Sequence, residues 1–350
     1  MMKEFRMPAN KLKKLLNAIA DGKTLSSDEM EDALDLLMSG VATPVQMGAF
    51  LMGLRVRGET VPEISGAAKF LRARMTPAEA PANAIDIVGT GGDSHGTYNV
   101  STAAAIVAAG AGVPVAKHGN RSVSSLSGAS DVLQALGVKI DVAPVVVSRA
   151  INSAGVGFLW APMHHAAMKQ WAPIRADLGI RSLFNLLGPL CNPASVKRQL
   201  LGVYDRKWLE PMAEALKSLG STHAWIVHGA DGMDELTTTG ASTVAELHKG
   251  DITVFDVTPE DAGLKLATLA ELKGGDAAHN ARALRALLQG ETGAYRDIVL
   301  FNTAAALIIA GKADGLEMGV AQAAASIDSG AANMALDKLI AVTNEAVEGV

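Results

Sequence analysis

Apolar residues recur at helical spacing along the first fifth of the chain. Leu12, Leu15, Leu16 and Ile19 fall on one face of a helix that ends near Asp21-Gly22. Ser26-Ser27-Asp28-Glu29 then opens a second helix, with a serine cap and acids in the first turn. It continues through Met30, Ala33, Leu34 and Leu37 and closes at Gly40. Thr43-Pro44 starts a third, with proline at the first helical position and Met47, Phe50, Leu51 and Leu54 on its apolar face. Val61-Pro62-Glu63 starts a fourth, through Phe70-Leu71. No strand pattern occurs here, so a small helical domain is expected over 1–80, with 75–83, rich in Ala and Pro, as linker.

From Ala84 the texture changes. Short apolar runs bounded by glycine alternate with helical patterns: Ile85–Val88, Val113–Ala116, Val138–Val142, Phe158–Trp160, Leu200–Val203, Ala224–Val227 and Ile252–Val254. Alternation of this kind predicts an α/β domain over 81–350 whose central sheet is mixed and largely parallel, surrounded by helices. Pro173–Leu190 reads as helical, and the helices at about 170–195 are expected to pack on the N-terminal ones. Leu264–Leu272 reads as a connection, and the chain is Ala-rich helix from His279 onward.

The 350 residues suit two domains better than one. With 49% hydrophobic and 19% charged residues, the chain has ample material for a core. A net charge of −5 gives no electrostatic case for nucleic acid as a partner. The single cysteine, Cys191, can form neither an intramolecular disulfide nor a Cys-based zinc site, which fits a reducing compartment. Met1 to Leu16 is amphipathic and charged, without the apolar core of a secretory signal. The most membrane-like stretch, Val100–Ala116, is Ala/Gly-rich, contains Pro114 and falls short of the roughly 20 apolar residues of a span. Neither secretion nor membrane insertion is expected.

Four constellations carry candidate chemistry. Asp86-Ile87-Val88-Gly89-Thr90-Gly91-Gly92-Asp93 runs an apolar strand into three glycines, where backbone amides can approach a ligand closely. Asn99-Val100-Ser101-Thr102 then opens an Ala-rich helix, a natural anion site. The spacing is neither that of a Walker loop nor that of the dinucleotide fingerprint, and alone it fits a tight strand-to-helix turn equally well. Lys117-His118-Gly119-Asn120-Arg121-Ser122-Val123-Ser124-Ser125 follows a strand and offers two cations and three serines to phosphate oxygens, unless it is a solvated loop. Asp234-Glu235 offers hard oxygen ligands suited to Mg²⁺, or is an ordinary acidic turn. His164-His165 has no further Cys or His nearby to complete a metal site, and Arg175 either pairs with a substrate carboxylate or is a helix-surface arginine. Together these groups point to a Mg²⁺-bound phosphorylated small molecule, without naming the reaction.

The segments DIVGTGGD (Asp86–Asp93), YNVSTAAA (Tyr98–Ala105), KHGNRSVSS (Lys117–Ser125), APIRADLGIRSLFNLLGPLCNP (Ala172–Pro193) and HGADGMDEL (His228–Leu236) resemble the anthranilate phosphoribosyltransferase family. LSSDEMEDALDLLMSG near the start and YRDIVLFNTAAALIIAG near the end extend the likeness over nearly the whole chain. The resemblance implies a helical and an α/β domain with the site in the cleft between them, and a cytoplasmic homodimer joined through the helical domains. The implied reaction transfers the phosphoribosyl group of phosphoribosyl pyrophosphate to the amine of anthranilate in tryptophan biosynthesis.

Carried over by residue, the resemblance assigns Gly89, Gly92, Asp93, Thr97, Asn99, Val100, Ser101 and Thr102 to phosphoribosyl pyrophosphate. Lys117, His118, Gly119, Asn120, Arg121, Ser122, Val123, Ser124 and Ser125 form a flexible loop over the same substrate, with Lys117 and Arg121 stabilising the transition state and Ala129 at a further donor contact. Gly89, Asn120, His165 and Arg175 match anthranilate contacts, and Ser101, Asp234 and Glu235 match ligands of Mg²⁺, two ions per site. The family usually has Ser at Ala129, so a backbone contact or Ser130 has to replace a hydroxyl there, and it often has Pro at Ala166. A pyrimidine nucleoside phosphorylase would carry Lys-His-Ser directly before the glycine loop, where this chain has Asp86-Ile87-Val88. A nucleic-acid-binding homologue would be basic and lack Asp234-Glu235, and this chain is neither.

Overall fold

A computed structural model of the chain describes residues 2–92, 95–121 and 127–345, with side chains from residue 10 onward. Four helices come first: α1 (Met2–Ala20), α2 (Ser27–Met38), α3 (Pro44–Arg57) and α4 (Val61–Arg72). The next part runs β1 (Ile85–Gly89), α5 (Val100–Gly110), β2 (Val115–Gly119), α6 (Ala129–Ala135), α7 (Pro144–Ala154), β3 (Val156–Trp160), α8 (Ala161–His164), α9 (Ala172–Leu178) and α10 (Leu183–Leu190). It continues through β4 (Arg198–Gly202), α11 (Leu209–Ser218), β5 (His223–Gly229), β6 (Ser242–His248) and β7 (Asp251–Val257). The chain closes with α12 (Ala277–Leu288), α13 (Ala294–Ala310), α14 (Leu316–Asp328) and α15 (Ala331–Asn344).

Each early helix begins where its sequence supplies a cap. The Ser26 hydroxyl accepts from Glu29 N (3.2 Å) while Ser26 N donates to the Glu29 carboxylate (2.8 Å), a reciprocal capping box. Thr43 and Gln46 repeat it at α3. At α4, Glu63 goes further. It accepts from Thr60 N (2.9 Å) and from Leu25 N (2.9 Å) and pairs with Arg57, so one buried carboxylate joins three elements. Leu12, Met30, Leu34, Phe50, Leu54 and Ile64 fill the space between these helices.

The sheet has the order β3-β2-β1-β4-β5-β6-β7. β3 to β5 are parallel, and β6 and β7 are antiparallel. One face is covered by α5, α13 and α15, where the run Ala103–Ala109 is buried and lets α5 lie close to the strands. The other face, carrying Leu201, Val203, Ala224, Ile226, Ala245 and Leu247, shares a continuous core with α11 and with α1–α4. α9 and α10 lie against α3 and α4. Arg72 donates from α4 to Leu190 O (2.6 Å) and Leu219 O (3.3 Å), and Ser218 Oγ meets Ser65 Oγ at 2.9 Å.

Three expectations from periodicity need correction. Val138–Val142 is not a strand. Val138, Ile140 and Val142 alternate into the core, but Lys139 N bonds the Thr343 hydroxyl (3.3 Å) rather than a neighbouring strand. Pro173–Leu190 is two helices, broken at Gly179, whose left-handed φ of 62° ends α9. β6 has no counterpart in the apolar runs, because Thr243, Glu246 and His248 interrupt its hydrophobic pattern.

Removing the Glu63 carboxylate leaves a part-buried guanidinium and two backbone amides without their acceptor. Glu63→Ala is expected to cost roughly 3 kcal/mol, visible as a lower thermal midpoint by circular dichroism. A midpoint equal to that of the parent protein would remove Glu63 from its structural role.

Candidate active site

In an open parallel sheet, ligands bind outside the carboxyl ends of the strands where the strand order reverses. Here that place lies between β1 and β4, whose ends Gly89 and Gly202 are paired. Asp234 occupies it from the other side. A Cβ on Gly202 would lie 1.5 Å from the Asp234 carbonyl oxygen, and one on Gly89 would lie 2.3 Å from Asp234 Oδ2. Gly202 is therefore required by the close approach of the Asp234 backbone, while at Gly89 it is the Asp234 carboxylate that takes the place of a Cβ. Asp231 holds the turn behind Asp234, accepting from Met233 N (3.0 Å) and from the Thr237 and Thr239 hydroxyls (2.7 Å each).

The acidic pair faces backbone N–H groups on two sides. Gly91 N donates to Asp234 Oδ2 (2.7 Å), with Gly91 and Gly92 at φ 67° and 83°. Ser101 N, at the start of α5, donates to Glu235 Oε1 (3.2 Å). Asn99 is held in place by Ser127 O (3.2 Å) and Asn280 (2.9 Å). Val100 and Thr102 at the start of α5 are both buried. Thr97 pairs with Lys273 in an isolated bridge, which ties the loop to the chain before α12.

Lys117 and His118 lie in β2 itself, not in a loop, and both are buried at 3% exposure. Lys117 Nζ donates to Ile87 O (2.5 Å) and lies 3.4 Å from Ser101 Oγ. Burial lowers its pKa, opposed by the carboxylates of Asp86, Glu235 and Asp234. Asp86 sits wholly inside β1, accepting from His118 N (3.0 Å) and Asn192 (2.7 Å). Burial raises it to about 6, against the pull of Lys117 and those donors. Asp86 and Asn192 are structural partners of the site that motif reading did not assign. The one signal for Asp86 was a charge inside the apolar run Ile85–Val88.

His118 Nδ1 lies 2.9 Å from Gly188 O, and its Nε2 lies 3.2 Å from Nε2 of His165. A carbonyl can only accept, which assigns the His118 proton to Nδ1 and makes its Nε2 the acceptor from His165. Burial pushes His118 down to about 3 and His165 to about 4, each helped by a neighbouring histidine, so both rings are neutral near pH 7. His165, directly after α8, thus meets a His118 ring that α10 holds through Gly188. Its neighbour His164 is turned away to Thr76 O (2.8 Å).

Arg175 on α9 stands over the Phe184 ring at 5.6 Å. Burial lowers its pKa, and no carboxylate pairs with it among the described residues. Arg121 is more open, 5.9 Å above Trp160 and 3.9 Å from Asp131. Asn120 Oδ1 accepts from Arg121 N (2.8 Å). Ala129 starts α6 beside Gly119, and Ser130 follows it, buried in the first turn. Arg181, also unassigned from sequence, donates to Gly92 O and lies over Tyr204 at 4.5 Å. Asp93, Ser122, Val123, Ser124 and Ser125 lie outside the described residues.

A family model described as the helical bundle domain of a glycosyl transferase family matches residues 13–75, and one described as its a/b domain matches 81–333. The anthranilate phosphoribosyltransferase of Parvibaculum lavamentivorans is 62% identical over 95% of this chain and 97% of its own. That of Rhodopseudomonas palustris is 60% identical over 95% and 98%. Among solved structures, the enzyme from Thermus thermophilus superimposes with a TM-score of 0.89 at 43% identity, covering 94% of this chain and 99% of its own. The Saccharomyces cerevisiae enzyme in complex with phosphoribosyl pyrophosphate and Mg superimposes at 0.88 and 31% identity, covering 95% and 98%. With identity this high along nearly its whole length, the chain belongs to the anthranilate phosphoribosyltransferase family.

Proposed function

We propose that this cleft transfers the phosphoribosyl group of phosphoribosyl pyrophosphate to the amine of anthranilate, giving phosphoribosylanthranilate and pyrophosphate for tryptophan biosynthesis. The observation that carries this reading is the acidic pair Asp234-Glu235 held against the glycine turn and the start of α5. Backbone N–H groups at Gly91, Gly92 and the Asn99–Thr102 segment suit the phosphate oxygens of the donor. The carboxylates and the Ser101 hydroxyl are hard oxygen donors of the type Mg²⁺ takes, and the missing Cβ atoms of Gly89 and Gly202 let Asp234 pack against the ends of β1 and β4. Bound there by Ser101, Asp234 and Glu235, Mg²⁺, two per site, would neutralise charge on the departing pyrophosphate.

The chain's own groups supply the rest. The bond from the ribose carbon to pyrophosphate breaks, a bond from the anthranilate nitrogen forms, and the amine proton leaves after attack. Lys117 and Arg121 offset negative charge as pyrophosphate departs, in a site whose dipoles are already oriented. Arg175, a half-buried cation without a carboxylate partner among the described residues, would take the anthranilate carboxylate. Asn120, His165 and the Gly89 backbone would orient the ring so that the amine faces the ribose carbon. The segment that follows Gly119, through residue 125, would close over the donor beyond the end of β2.

Residues 1–80 and 81–350 act as the two walls of the cleft. On α3 the outer face carries Val45 (81% exposed), Met52 and Val56 (79%), with Ile180 beside it, and this apolar stripe suits a homodimer through the helical domains. No helix among the described residues is long and apolar enough to cross a membrane. A cytoplasmic enzyme without a nucleic-acid partner fits the net charge and the buried thiol of Cys191.

Protein, anthranilate, phosphoribosyl pyrophosphate and Mg²⁺ together should extinguish anthranilate fluorescence; folded protein that leaves it unchanged would overturn the proposal. In the same assay Arg175→Ala should raise KM for anthranilate by about 10- to 100-fold and leave KM for the donor nearly unchanged. Equal effects on both substrates would remove Arg175 from the acceptor subsite.

The histidine pair sets a pH expectation. His118 and His165 titrate lower in the folded chain than in the unfolded one, so their contribution to stability is complete above about pH 6.5. It is lost as pH falls towards 4. Down to about pH 5.5, KM for anthranilate should therefore show no inflection from His165. An inflection near 6.5 that disappears in His165→Asn would contradict this.

A further inference from the structure

A second cluster of metal-ligating side chains lies at the other end of the sheet. His223 opens β5 and is directly opposite His248, the last residue of β6, while Glu246 faces Trp225 one row further on. Directly opposite residues of an antiparallel pair project from the same face, so His223, Trp225, Glu246 and His248 share one side of the sheet. The neighbouring strands add Arg198 beside His223, and Asp251 and Thr253 beside His248 and Glu246. β5 runs from His223 to Gly229 at the reaction cleft, seven residues or about 20 Å away.

We propose that His223, Glu246 and His248 form a binding site for a divalent transition metal of the zinc class, separate from the Mg²⁺ site of the reaction. One ligand atom from each residue lies within 4.8 Å of the other two. His223 Nε2 and Glu246 Oε1 are 2.9 Å apart, and the two imidazoles stack at 4.3 Å with planes 12° apart. Two imidazoles and a carboxylate are a donor set that Zn²⁺ accepts with a fourth position left for water. The donors differ from those in the cleft, where all are oxygens.

Two features make this more than an exposed cluster. Trp225 Nε1 donates to Glu246 Oε1 (2.9 Å), and an orienting bond of that kind is what metal-binding carboxylates use to hold their direction. The side chains of His223 and Glu246 are only 13% and 22% exposed, while His248 opens the group to solvent, which supplies an entry path. Arg198, beside His223, is anchored to Ala310 O (2.6 Å).

Full-length protein stripped with a chelator and titrated with Zn²⁺ by calorimetry should bind one tight equivalent per chain. Co²⁺ in its place should give the intense visible absorption of a four-coordinate site. His248→Ala, a change at an exposed side chain, should weaken this equivalent at least 10-fold, and Trp225→Phe roughly 10-fold. Asp234→Asn should leave it intact, and none of the sheet variants should alter Mg²⁺-supported turnover. The proposal is overturned by an absence of a tight equivalent, by one that survives His248→Ala unchanged, or by one that Asp234→Asn removes.

Discussion

The close fit of Asp234 against the ends of β1 and β4 is the constraint on which the cleft is built. Neither Gly89 nor Gly202 leaves room for even a methyl group, because the Asp234 carboxylate and carbonyl fill the place where it would project. That contact sets the position of Glu235, which reaches the first turn of α5, and of the Gly91 amide, which binds the Asp234 side chain. Two carboxylates at one point are costly unless a cation is near. Lys117, buried in the adjacent strand, is the basic side chain set against them, and Asp86 behind it opposes the lowering of its pKa by burial. Glycines, helix start, acids and buried lysine thus form one electrostatic unit at the switch in strand order.

The second wall depends on how the helical bundle meets the sheet. α1–α4 do not stand apart as an independent ball. Their core runs through α11 to the strand residues Leu201, Ile226 and Leu247, and the Arg72 bonds lock α4 to the ends of α10 and α11. α10 also supplies the Gly188 carbonyl that orients His118 and, through it, His165. Arg175 hangs from α9 over Phe184 of α10. In the proposed function, the acceptor end of the cleft is therefore carried by the helices that join the two parts of the chain, with Arg175 over Phe184 and His165 against His118.

Much of this was legible along the chain, and the exceptions have physical reasons. Ser26, Thr43-Pro44 and Val61-Pro62-Glu63 mark helix starts because capping is local chemistry. Gly89 to Gly92 and Asp234-Glu235 stand out as chemistry, and their meeting depends on strand order, which no local pattern contains. Val138–Val142 alternates like a strand because its side chains are buried like one, yet its backbone finds a side-chain partner instead. β6 was hidden because Glu246 and His248 break its apolar run, and those same residues meet His223 across the strand pair. Asp86, Asn192 and Arg181 act through long-range contacts that motif reading cannot pair.

The central claim is that the acidic turn, through its contact with the β1 and β4 ends, holds the metal- and phosphate-binding groups in place. Gly202→Ala tests it most directly, because the added carbon meets the Asp234 backbone and touches neither substrate in the proposed site. The measurement is kcat and the Mg²⁺ titration of this variant in the fluorescence assay, with circular dichroism to verify folding. A folded variant with kcat lowered by about 100-fold or more and a weakened Mg²⁺ response is predicted, since misplacing preorganised groups by about 1 Å costs that much. A folded variant with parental kcat and an unchanged Mg²⁺ titration would contradict it.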